Sequence, residues 1–290
     1  MKHKQRSLGR EIISWVSTIL VALVVAMVLK SFAFELVRVD GESMLDTLHD
    51  GNIMLVTKFD YGSFWLSLPW QDAETQEQAS RLTWGDDIQR HDVVVVRYPG
   101  SGTTNFVKRI IGLPGDSVEL KDGYVYINGS RYEEPYVADG YRTFDLSISE
   151  DDMLANILVN MDAVYVPKAG DEVFIAPAMV DDDLFDLQVF DGTSYRTWAW
   201  YDMASDLVDA DGNVLHIAID AIYLNNEDVS SEPEKFIGKT FYVKENMYFV
   251  MGDHRNGSSD SRLIGPVSRS EIISHARCIV YPFNEWHGLE

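Results

Sequence analysis

The chain contains a single cysteine, Cys278, in 290 residues. It can form no internal disulfide and no cysteine-built metal centre. Basic residues are also scarce, with 24 Lys and Arg against 46 Asp and Glu and a formal charge of −22. A polyanion needs a cationic face, so nucleic acid is excluded as a partner. The seven histidines show no ligand spacing. Asp209-Ala210-Asp211-Gly212-Asn213 lacks the spacing and terminal glutamate of an EF-hand loop, so neither a metal nor a cofactor is expected. No internal repeat is present. The remainder is ordinary for a folded protein, with 46% hydrophobic and 24% charged residues, and long enough for one large domain or two modest ones.

Charge is missing altogether from residues 12–29, an apolar run of 18 whose only polar members are Ser14, Ser17 and Thr18. As a helix this run rises about 27 Å, close to the roughly 30 Å of a hydrocarbon core. Lys2, Lys4, Arg6 and Arg10 precede it without an acid, which places the N-terminus in the cytoplasm and exports the rest. A cleaved signal peptide has a shorter apolar region and a small-x-small end, which Lys30-Ser31-Phe32-Ala33-Phe34 does not offer. A buried soluble helix would show a polar face, and this run has none. The expectation is a retained single-pass anchor in the cell membrane. The negative charge concentrates elsewhere: residues 132–240 hold 24 acidic and 5 basic side chains, a net of −19.

Beyond the anchor the pattern is β-rich. Residues 93–98 form a β-branched run typical of a buried strand. Residues 117–120 and 124–128 flank Lys121-Asp122-Gly123, an Asp-Gly hairpin signal. Further strands are expected at 239–244, 247–251 and 276–281, with turns at Asp191-Gly192 and Asp211-Gly212. Residues 71–80 are polar and fit a helix or a loose loop. A short helix is expected over 268–273, where Ser268 precedes Glu271 at capping-box spacing. The fold class is mainly β: an antiparallel domain (35–131 and 241–290) with an acidic β-rich insert (132–240), preceded by the anchor segment (1–34).

Three segments carry candidate chemistry. The first is Val39-Asp40-Gly41-Glu42-Ser43-Met44-Leu45-Asp46-Thr47-Leu48, where a glycine two positions before a serine permits an unusual backbone. The second is Phe106-Val107-Lys108-Arg109-Ile110-Ile111-Gly112-Leu113-Pro114-Gly115-Asp116. Lys108 alternates there with apolar neighbours; a lysine turned inward loses solvation, its pKa falls, and the free amine becomes a usable base. The third is Gly252-Asp253-His254-Arg255-Asn256-Gly257-Ser258-Ser259-Asp260-Ser261-Arg262, a constrained polar loop able to supply hydroxyls and an ion pair.

These segments, in this order behind an anchor, resemble the conserved boxes of bacterial type I signal peptidases, membrane-bound serine proteases with a Ser–Lys dyad. The resemblance covers the anchor, the first 120 or so residues and the last 50, and leaves the acidic insert uncovered. It implies Ser43 as nucleophile and Lys108 as general base, a known variant of triad logic. It implies Ser258 as the hydroxyl that orients the amine, Asp260 and Arg262 as a structural ion pair beside it, and Val39, Met44, Leu48, Phe106 and Val107 as the lining of shallow pockets for small substrate side chains. The substrates it implies are preprotein signal peptides at the outer face of the membrane, with lipid as the other partner. It leaves the oligomeric state open.

Two departures matter. The family proline three residues after the nucleophile is Asp46 here, which gives up a preset φ and brings a carboxylate near the dyad. Facing Lys108 it would favour the ammonium, so Asp46 is expected to point to solvent or to bond a nearby backbone N–H. His254 replaces the usual asparagine. Gly41 stands where some relatives carry a second oxyanion donor, as in the Gram-positive-like branch. Two rival readings are a Ser–Lys self-cleaving repressor, which the anchor and charge oppose, and an anchored binding module with a degenerate dyad.

Overall fold

The computed structural model describes residues 8–32, 34–58, 60–61, 64–65, 81–82, 88–98, 104–142, 159–177, 185–190, 195–198, 205–217, 222–232 and 235–289. The first element is a helix, α1 (Leu8–Phe32). The hydroxyls of Ser17 and Thr18 donate to the Ser14 carbonyl at 2.9 and 2.8 Å, so two of the few polar groups of the run are satisfied within the helix. The described side chains of α1, residues 11–25, are all exposed. Among the described residues, no helix is long and apolar enough to cross a membrane.

The chain is mainly antiparallel β. Its principal sheet is built from β1 (Phe34–Arg38), β2 (Ile53–Thr57), β3 (Val93–Val96), β4 (Phe106–Gly112), β5 (Met247–Met251) and β6 (Ile272–Tyr281). The spatial order is β1-β2-β6-β3-β4-β5, closed off at the β5 edge by Val267–Ser268. All four residues of β3 are buried, because both faces of the sheet are covered; hence a continuous valine run rather than alternation. Val93 and Val95 join a cluster with Val39, Met44, Leu48, Met54 and Val56. Val94 and Val96 join one with Tyr61, Ile110, Tyr248 and Val250.

A second sheet pairs Met161–Tyr165, Ser117–Lys121, Tyr124–Ile127 and Ser130–Arg131 in that order. Its hairpin turns at Asp122 (φ 51°) and Gly123 (φ 77°), the two positive φ values that a tight two-residue hairpin requires. A third sheet of eight strands draws them all from residues 172–243. One apolar cluster joins the second and third sheets to the principal one through Ile111, Phe249 and Met251, which pack with Val118, Ile175, Leu207 and Phe241.

The expected strands at 93–98, 117–120, 124–128, 239–244 and 247–251 are present with small shifts of boundary. The Asp211-Gly212 turn joins Ser205–Val208 to Val214–Ile217. The expected helix over 268–273 is instead a single 3-10 turn, Arg269–Glu271. The Glu271 carboxylate does accept from the Ser268 N–H at 2.6 Å, but Ile272 pairs with Val96 and starts β6 four residues earlier than expected; the strand ladder outcompetes the helix. Residues 71–80 and the turn at 191–192 lie outside the described residues.

Gly112 ends β4 where three side chains converge. A Cβ there would lie 2.7 Å from Val118 Cγ2, 2.8 Å from Phe249 Cβ and 3.0 Å from Val166 Cγ2. Gly112→Ala is expected to lower stability by about 1–3 kcal/mol, the usual cost of overpacking, measured as a fall in the urea midpoint at unchanged m-value. An unchanged midpoint would show that this junction is loosely packed.

Candidate active site

Ser43 sits on the connection between β1 and β2. That connection is closed at its base by the Val39 N–H donating to the Asn52 carbonyl at 2.8 Å and the Gly51 N–H donating to the Val39 carbonyl at 3.0 Å. Met44 and Leu48, beside it, are buried in the cluster under the sheet. Gly41 adopts φ 103°, a conformation glycine tolerates and other residues resist. Lys108 lies near the middle of β4, opposite Val94 of β3. The third segment, 252–262, follows β5 and closes over both.

The chain brings Ser43 and Lys108 together across 65 residues: Lys108 Nζ donates to Ser43 Oγ at 2.8 Å. The lysine is 2% exposed. Burial pushes its amine down to about 8, with Asp260 pulling the other way and Arg262 adding to the depression. A substantial share of the amine is therefore uncharged near pH 8, within hydrogen-bonding distance of an alcohol.

Ion pairs without solvent frame this pair. Asp260 and Arg262 are both 0% exposed and meet in a fork of two 2.9 Å bonds. Burial raises the Asp260 carboxyl, but Arg262 and the Gly252 N–H outweigh it and hold the group below the usual range. Asp260 also caps the short helix Ser261–Ile264, which fixes the fork to the backbone. Gly252 lies against both Ser258 and the Ser43 carbonyl, so that any Cβ on it would collide with them. The Ser258 hydroxyl is buried beside the pair but makes no hydrogen bond here, to Lys108 or to another group.

Several residues that the sequence reading did not single out belong to this frame. Asp253, also 0% exposed, takes a bidentate contact from Arg109 at 2.9 and 2.7 Å and a bond from the Thr47 hydroxyl at 2.5 Å. Arg255 pairs with Glu134, which also pairs with Arg142 at 2.8 Å. Arg109 and Asp253 stand inside the second and third segments, so their positions beside Lys108 and Gly252 were the available signal. Glu134 had none, because its partner is 121 residues away.

Of the expected pocket residues, Val39, Met44 and Leu48 are core side chains with almost no free surface. Val107 packs beside them half-buried, and Phe106 packs on Tyr98 at 5.0 Å between ring centroids. Asp46 is exposed, as expected, but it accepts from the Tyr141 hydroxyl at 3.2 Å rather than from a backbone N–H. It is not among the charges that move the Lys108 amine. Among the described residues, no cluster of His, Cys, Asp and Glu could hold a metal.

A serine hydroxyl bonded to a buried amine, beside a sheet whose strands are all antiparallel, has the geometry of a β-fold serine hydrolase with lysine in the place usually held by histidine. The chain belongs to the signal peptidase family, peptidase S26, whose profile matches residues 12–281, and with that membership it is a serine endopeptidase of the bacterial type I kind. It is 26% identical over 286 residues to a signal peptidase I S of Bacillus subtilis, covering 98% of this chain and 97% of that one. It is 31% identical over 138 residues to a signal peptidase I of Bacillus licheniformis, covering 48% of this chain and 62% of the relative's length. A signal peptidase I structure from Enterococcus faecalis aligns with 66% of this chain and 97% of its own, at 22% identity and a TM-score of 0.29.

The Lys108 amine also carries a stability consequence. Its folded pKa of about 8 lies below the ordinary 10.5, so folding opposes the ammonium and stability rises as pH climbs from about 8 to 10.5. Lys108→Met removes a cost of up to about 3 kcal/mol below pH 8. The variant should melt above the wild type at pH 7, with the difference shrinking toward zero near pH 11. A gap that does not change with pH would show that the amine is wetted in the fold.

Proposed function

We propose that the chain removes signal peptides from exported preproteins, with Ser43 as nucleophile and Lys108 as general base. The observation that carries this reading is the 2.8 Å contact between Ser43 Oγ and a lysine amine shielded from water. Neutral Lys108 takes the hydroxyl proton as Ser43 Oγ attacks the carbonyl carbon of the scissile bond. The resulting ammonium then gives that proton to the leaving amine nitrogen, the C–N bond breaks, and an acyl-enzyme ester remains. Lys108, neutral again, takes a proton from water as its oxygen attacks the ester, and returns it to Ser43 Oγ as the new carboxyl end departs. The Ser43 N–H serves as an oxyanion donor, and Gly41 contributes no side-chain donor beside it. Ser258 becomes the orienting hydroxyl once a rotation brings it onto the amine; its present lack of a partner leaves it available for that bond.

The membrane topology belongs to the same proposal. Fifteen successive exposed side chains of α1, residues 11–25, are mostly apolar, and the run from residue 12 to 29 has the length and charge pattern of an anchor. With the N-terminus in the cytoplasm, the anchor holds Ser43 at the outer face, where the apolar segment of a substrate emerges. Tethering of this kind raises effective concentration and narrows orientation. The domain division at residues 132 and 240 fits the charge asymmetry: a segment of net −19 is repelled by anionic lipid.

Purified full-length chain in detergent should cut a preprotein after a small residue at the end of its signal peptide. Ser43→Ala and Lys108→Ala should each be folded and inactive. The wild-type rate should climb about tenfold per pH unit below pH 8 and level off above it, as expected for a base that must be neutral. Normal cleavage by both variants would end the assignment; a rate flat from pH 6 to 9 would remove Lys108 as the base.

A further inference from the structure

The two positions at which the chain leaves the family pattern nearest the nucleophile, Asp46 and His254, meet at one side chain. Tyr141 donates its hydroxyl to Asp46 Oδ1 at 3.2 Å and lays its ring against His254, 4.1 Å between centroids. His254 in turn grips the turn that carries Ser43. Its N–H donates to the Ser43 carbonyl at 3.1 Å, and its Nδ1 lies 3.0 Å from the Glu42 carbonyl. Tyr141 therefore touches the residue three places after Ser43 and the residue that bonds the Ser43 backbone itself.

Tyr141 is held in place by buried charge. It ends the 3-10 turn Asp139–Tyr141, and the next residue, Arg142, is buried and paired with Glu134. Glu134 also pairs with Arg255, the residue after His254. The segment from 134 to 142 is thus riveted to the third catalytic segment at one end and reaches over the nucleophile turn at the other. Asp46 and Glu42, both exposed, are the charged groups that act on its hydroxyl.

We propose that Tyr141 is a positioning residue for Ser43. Together with Asp46 and His254 it forms a clamp that stiffens the nucleophile turn by side-chain contacts, where a proline would stiffen it through φ. The clamp rests on the reading of Ser43 as nucleophile. A turn left free to shift by even an ångström would spoil the approach of Oγ to the carbonyl carbon and cost about 10- to 100-fold in rate, without changing how the substrate is held.

The test uses full-length chain in detergent with a preprotein substrate, comparing wild type with Tyr141→Phe, Asp46→Ala, the double variant, Asp46→Asn and Ser43→Ala, each with its melting temperature recorded. Tyr141→Phe and Asp46→Ala should each lower kcat by about tenfold or more with KM unchanged, by the misplacement argument above. The double variant should be no slower than either single one, since both remove the same contact. Asp46→Asn keeps an acceptor for the tyrosine hydroxyl and should recover most of the lost rate. If kcat is unchanged in the first two, if their effects multiply, or if KM rises while kcat holds, the clamp is refuted. Ser43→Ala separates the two claims: an inactive Ser43→Ala beside a fully active Tyr141→Phe defeats the clamp alone, and an active Ser43→Ala defeats the site on which it rests.

Discussion

Everything in this molecule that bears on chemistry depends on keeping one lysine amine out of water. Lys108 sits in the central part of the sheet, on a strand flanked by β3 and β5, and its charged form is disfavoured because the surrounding dipoles are fewer than water would offer. The same burial that lowers the pKa of the amine makes the site costly to build. The cost is accepted only because the amine has a defined partner, the Ser43 hydroxyl at 2.8 Å, and because the nearby charges come in satisfied pairs.

Those pairs explain the arrangement of the third segment. A lone buried carboxylate beside Lys108 would hold the amine protonated. Asp260 does raise it, but its charge is shared with Arg262 through two 2.9 Å bonds. Asp253 is neutralised in the same way by Arg109, at 2.7 Å. Buried pairs of this kind add little net stability but are strongly destabilising to break. Their use here is geometric: Asp260 fixes Gly252, Asp253 fixes Thr47, and between them the turn that carries Ser43 is pinned from two sides.

The parts of this structure that were legible in the sequence are those written locally. The valine run of β3 and the Asp122-Gly123 turn depend on neighbours two or three residues away, so propensity alone locates them. Ser43, Lys108, Asp260 and Arg262 were legible because each stands in a short segment that resembles a box of a known family. What could not be read was set by distant partners. The helix expected at 268–273 gave way because Ile272 is claimed by Val96 across the sheet. Glu134 looked like one more acid in an acidic stretch, yet it is 4% exposed between two arginines. Asp46 was correctly expected to turn from Lys108, but its partner is a tyrosine 95 residues on, beyond the reach of any local pattern.

The central claim is that the Lys108 amine is uncharged over a useful part of the physiological range while the chain is folded. The most direct measurement is an NMR titration of isotope-labelled lysine side chains in the folded full-length chain, with the Lys108 signal assigned by its absence in Lys108→Arg. The account predicts a midpoint near 8 for that signal, well below the ordinary lysine value of 10.5. A Lys108 signal that titrates with the others would contradict it.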